Sequence, residues 1–225
     1  MAHAFFLGID TRAAVSDGPS PQPPDAVTLT LLEKEQEGDH PPTYRVDSIR
    51  HEDEAPDPAD LADQIQSLVA GSPYIGRTSI IANRRDDYGE AVVEALQDRG
   101  LDPTRATLAD SSEASSGAPD DAGVFVALDD ALEVIADAYR NGHVEFEQHA
   151  TENVSRLARG LQRMVEYFAD VEEAAAAPDT ADAPLRPSSI DPHVTSAALA
   201  AWLADERSFD PSQHLKEHPQ TDTGR

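Results

Sequence analysis

Three runs of strand-forming residues open this chain with no helical periodicity between them, and that order constrains the fold more than any other feature. The first spans about Ala4 to Asp10, the second Val27 to Leu32, and the third Tyr44 to Ile49. Each is rich in β-branched and aromatic residues or alternates, as half-buried strands do. Prolines 19, 21, 23 and 24 mark the first connection as a loop, expected over 18–25. Consecutive strands without a crossover helix predict an antiparallel meander.

The pattern then changes period. Asp57-Pro58 supplies an N-cap and a first-turn proline, and Leu61, Ile65, Leu68 and Val69 recur at helical spacing up to Gly71. A short run, Thr78 to Ala82, reads as a fourth strand, followed by a helix over Asp87 to Arg99 and a strand near Ala106 to Leu108. Strand-helix-strand order favours a parallel extension of the meander. Leu132, Ile135, Ala136 and Tyr139 share a helix face, and Val144 to Phe146 reads as a short edge strand. The stripe Val154, Leu157, Ala158, Leu161, Met164, Val165 and Phe168 predicts a long amphipathic helix. A last helix over His193 to Arg207 turns Val194, Ala198, Ala201 and Trp202 inward. The expectation is one α/β domain over residues 1–206, with loops or linkers at 18–25, 110–122 and 171–189 and a disordered tail at 207–225.

Composition narrows the classes of function. The chain has 225 residues and no cysteine, so disulfides and thiolate metal sites are excluded, and no run reaches the roughly 20 apolar residues that span a bilayer. The expected location is the cytoplasm, with no membrane partner. A charge of −26 arises from 43 Asp and Glu against 17 Lys and Arg, with Lys34 and Lys216 the only lysines. Such a coat repels phosphate backbones at ordinary ionic strength, whereas in molar salt the Debye length falls to about 3 Å and the coat mainly keeps the protein hydrated. Acid excess with almost no lysine resembles the proteins of extreme halophiles, and DNA is a partner to expect only at high salt.

Asp10 closes the apolar run Phe5-Phe6-Leu7-Gly8-Ile9, and a carboxylate at a buried strand's end is a frequent place to hold a metal ion. A meander with an acid at the end of its first strand, then helix-strand-helix-strand and late helices, resembles the ribonuclease H-like plan. The segments from Phe5 to about Asp205 also resemble the nuclease domain of phage terminase large subunits and related prophage proteins. The resemblance includes Tyr139 to Glu147, with its helix, Asn-Gly turn and short strand, and the Ala-rich closing helix Thr195 to Ala204 with Trp202.

That resemblance implies a mixed sheet flanked by helices and a carboxylate cluster holding two Mg²⁺ or Mn²⁺ ions about 4 Å apart. It also implies phage or mobile-element proteins as partners. The first-strand acid matches Asp10. At the end of the fourth strand Asn83 stands where an acid is expected, and an amide brings no charge. At the last helix His193 aligns with a metal-binding acid, and Asp191 is displaced by two residues and followed by Pro192. The implied metal positions are therefore Asp10, Asn83, Asp191 and His193. The implied catalytic acids are Asp10, Asp86, Asp87 and Asp191, with a helix N-cap the plainer role for Asp86 or Asp87. Replacement of charged ligands favours a scaffold without cleavage that binds or assembles. The alternative is a divalent-metal-dependent DNA endonuclease using relocated acids around Asp10.

Other constellations are weaker. An actin-like or sugar-kinase ATPase also begins strand-Gly-Ile-Asp, but Arg12-Ala13-Ala14-Val15 lacks the glycine that lets backbone approach phosphate. His214 and His218 have i, i+4 spacing in a polar tail, where solvated side chains are the plainer reading. Arg84 and Arg85 could meet phosphate, although adjacent Asp86 and Asp87 favour a self-compensated turn.

Overall fold

The computed structural model describes residues 2–13, 24–37, 40–84, 86–109, 123–146, 151–175 and 190–207. Seven strands form one sheet in the order β6-β5-β4-β1-β2-β3-β7. The meander comprises β1 (Ala2–Ala13), β2 (Pro24–Gln36) and β3 (Thr43–Glu52), paired antiparallel. Strands β4 (Thr78–Asn83), β5 (Thr104–Ala109) and β6 (Val124–Ala127) extend it in parallel from β1. At the opposite edge β7 (Val144–Phe146) lies parallel to β3. Among the described residues five helices accompany the sheet: α1 (Pro58–Val69), α2 (Asp87–Asp98), α3 (Leu128–Arg140), α4 (Glu152–Ala175) and α5 (Pro192–Glu206).

Alternation along β1 divides the core in two. Phe5, Leu7 and Ile9 face α1 and α2, where they meet Leu61, Ile65, Val92, Val93 and Leu96. Ala4 and Phe6 join the opposite core, built from α3, α4 and α5. Gly8 shares that second face, and its lack of a side chain matters. A Cβ there would lie 2.0 Å from the backbone oxygen of Ser196, so only glycine lets α5 approach the sheet this closely.

Helix α5 is buried on nearly every side because it lies between the sheet and helices α3 and α4. Two polar contacts tie it to β2. Ser196 Oγ and Thr30 Oγ1 are 2.7 Å apart near its start, and Lys34 Nζ donates to Ala204 O at 2.6 Å at its end. The lysine answers a terminal carbonyl and the negative end of the helix dipole. Burial lowers the Lys34 pKa, while the Asp205 charge opposes that shift.

Most expected elements are present, with corrections at their ends. Pro24 and Asp25 belong to β2 rather than to a loop over 18–25. The linker expected at 171–189 begins later, because α4 continues through Ala175. Strand β6 was not expected at all; its four residues directly precede α3 and carry too little alternation to stand out. Arg207, expected in the tail, instead donates from its guanidinium to Ser79 Oγ at 2.8 Å and Thr104 Oγ1 at 3.2 Å, whereas the rest of the expected loop before β2, the 110–122 loop, the remaining linker and the rest of the tail, with His214 and His218, lie outside the described residues, as does Arg85. No described helix is long and apolar enough to cross a membrane.

Candidate functional site at the end of the first strand

Sheet geometry brings Asp10 and Asn83 together. Ile9 pairs with Ala82 in the parallel β1–β4 ladder, so the next residue on each strand reaches the same end of the sheet. Both side chains are buried at 3% exposure, and Asn83 Nδ2 donates to Asp10 Oδ1 at 3.0 Å. Arg12 lies two residues along the same strand face, with Nε 3.7 Å from Asp10 Oδ2. Thr195, near the start of α5, lies close enough to the carboxylate to favour its charged form, while its Oγ1 donates to Asp191 O at 3.2 Å.

This cage is polar and buried. Burial is the largest influence on Asp10 and pushes its pKa from 3.8 up to about 6. The Asn83 hydrogen bond, the Arg12 charge and the nearby Thr195 hydroxyl oppose that rise, and the Asp86 charge adds to it.

Asp86 is the N-cap of α2. Its Oδ1 accepts from Gly89 N at 2.6 Å and from Thr11 Oγ1 at 3.2 Å, which ties the helix start to the residue after Asp10. Asp87 is the exposed first residue of that helix. Arg84 turns toward β5 and α2, with Nε 3.4 Å from Thr107 Oγ1 and Nη1 3.8 Å from Glu90 Oε2.

Asp191 and His193 form a second, separately bonded group. Asp191 caps α5, its Oδ1 accepting from the His193 backbone N at 3.0 Å and lying 2.8 Å from the His193 ring Nδ1. Its Oδ2 pairs with Arg156 Nε at 2.9 Å. Burial alone would raise this carboxyl, but the hydrogen bonds from His193 and Arg156 outweigh it and hold Asp191 well below the usual carboxylate range. His193 is fully buried, its Nε2 lies 3.3 Å from Asn153 Oδ1, and its ring meets that of His51 at a tilt of 39° with centroids 4.7 Å apart. His51 in turn contacts Thr28 Oγ1 at 2.8 Å, and Thr28 is the cross-strand partner of Asp10. Burial, then the neighbouring His193, lowers the His51 pKa.

The predicted residues are thus divided between two groups. Asp10 and Asn83 meet, Asp86 acts on them electrostatically, Asp191 pairs with His193, and Asp87 faces solvent. Among the described residues, no three His, Asp or Glu side chains stand close enough to share a metal ion. A pair of hard divalent ions needs several anionic oxygens, yet the Asp10 cage offers one carboxylate already facing an amide donor and a guanidinium. The donor set does not fit the two-ion centre implied by the sequence resemblance.

Sequence reasoning missed Arg12, Thr195, His51, Asn153 and Arg156. Period-two alternation could have placed Arg12 beside Asp10; the others meet the site only through long-range packing.

No family model matches the sequence, and no curated protein matches it. Among solved structures, the human cytomegalovirus terminase nuclease domain is similar at 12% identity, covering 91% of this chain and 85% of its own, with a TM-score of 0.49. A Mn-soaked form of that domain gives 12% identity, 90% and 83% coverage and a TM-score of 0.44. Thermus thermophilus RuvC gives 14% identity, 89% and 92% coverage and a TM-score of 0.36. Independently of those values, the antiparallel meander, its parallel extension and the helices on both faces make this fold ribonuclease H-like.

Proposed function

We propose that this chain is a ribonuclease H-like protein, of the kind seen in phage terminase nuclease domains, that binds or assembles without cleaving phosphodiesters. The observation that carries this reading is the Asn83 side chain, which presents an N–H donor to Asp10 where a second ligand carboxylate would be needed. Asp191 and His193 support it as well, since each is engaged by partners that compete with metal ligation. The partners that fit are proteins of a phage or mobile element, with DNA as a partner at high salt, where the acidic coat is screened.

A second reading has its own support. Asp86 lies near enough to act on Asp10, and the buried Asn83 Oδ1 accepts no hydrogen bond among the described residues. Those groups could serve a Mg²⁺- or Mn²⁺-dependent DNA endonuclease built on Asp10. The test is incubation of supercoiled and branched DNA with the full chain and Mn²⁺ at high salt, with Asp10→Asn alongside. The scaffold reading expects intact DNA from both proteins. Cleavage by the wild type that disappears in Asp10→Asn would establish the nuclease reading instead.

A further inference from the structure

We infer that Arg12 is a built-in counter-cation for Asp10, supplying from within the chain the positive charge that a bound divalent ion would bring and thereby excluding such an ion. This inference rests on the scaffold reading above and adds what maintains it. Arg12 shares the Asp10 face of β1, and its Nε stands 3.7 Å from the Asp10 carboxylate. The β1–β2 register shifts between Arg12 and Ala13, an irregularity of the kind that re-aims a strand-end side chain. The guanidinium brings one positive charge to the carboxylate. Its side chain is 27% exposed, which leaves the pair only partly screened by solvent. A divalent ion approaching Asp10 would meet this like charge at short range, where Coulomb repulsion strongly reduces binding. Asn83 contributes a neutral donor to the same carboxylate. Together they give Asp10 a donor and a counter-charge from within the chain.

The experiment measures Mn²⁺ binding to the full chain by calorimetry, for wild type, Asn83→Asp, Arg12→Gln/Asn83→Asp and Arg12→Lys/Asn83→Asp. The double variant with glutamine is expected to bind at least about tenfold more tightly than Asn83→Asp alone, because a repelling unit charge has been removed. Adding Asp10→Asn should abolish that gain. The lysine variant keeps the charge and should behave like Asn83→Asp alone. Equal affinity with and without Arg12, or a lysine variant that binds like the glutamine one, would overturn the inference while leaving the scaffold reading intact. Asp10-dependent Mn²⁺ binding by the wild type would instead overturn both. A thermal-unfolding cycle between Arg12→Gln and Asp10→Asn needs no metal and provides a check if the doubly substituted protein folds poorly. The Arg12 change should lower Tm in wild type and have little effect once Asp10 is neutral; additive effects would contradict the pairing.

Discussion

Asp10 is a buried acid whose surroundings raise its pKa, and the consequence for stability has a definite sign. Its ordinary value of 3.8 is pushed up to about 6 in the folded chain, chiefly by burial. Between those two pH values the folded state retains a proton that the unfolded state has released. Stability therefore falls as pH rises across that window and levels off above it. The contribution is on the order of 3 kcal/mol across the whole span. Asp10→Asn removes the titrating group, so the difference in unfolding free energy between wild type and variant should change steeply from pH 4 to 6. Denaturant unfolding at a series of pH values checks this, and parallel curves would show that Asp10 does not titrate in that range. Asp191 has the opposite sign: its depressed pKa makes its contribution fully present above 3.8 and lost only in stronger acid.

At the scale of elements, α5 is the piece that assembles the site. Its start brings Thr195 to Asp10 and Asp191-His193 to His51, while Lys34 holds its end. Gly8 permits this approach, so Gly8→Ala should be severely destabilising: its Cβ would meet backbone at Ser196, which cannot yield without moving the helix. A loss of at least about 3 kcal/mol is expected, at or beyond the upper part of the overpacking range. Gly160→Ala on α4 should cost less, because its Cβ would meet one methyl of the buried, rotamerically stiff Val194 side chain rather than backbone, and a small shift of that side chain with its helix relieves the contact. Equal losses of Tm in the two variants would contradict this account of α5.

Sequence legibility also divides by element. Strands β1 to β4 and helices α1 and α2 were readable because each carries one clear period or cap, such as Asp57-Pro58 at the start of α1. The full burial of α5 was not readable from Val194, Ala198, Ala201 and Trp202 alone. Its remaining alanines are also enclosed, and Trp202 is only partly buried. For the site, strand ends revealed Asp10 and Asn83, but Arg156, Asn153 and His51 belong to distant elements whose meeting depends on tertiary packing.

Across the whole molecule, a ribonuclease H-like sheet carries an acid at the end of its first strand, and groups from within the chain surround it. Asn83, Arg12 and Thr195 surround Asp10, and Asp191 and His193 bond to one another and to α4. The −26 charge repels phosphate backbones in dilute buffer, and concentrated salt screens that repulsion. The most direct test of the central claim is anomalous diffraction at the manganese edge from crystals of the wild-type chain soaked in Mn²⁺ at high salt. No manganese peak is expected within ligand distance of Asp10, and the Asn83 amide should remain hydrogen-bonded to it; a manganese ion coordinated by Asp10 would show that these groups do not exclude metal.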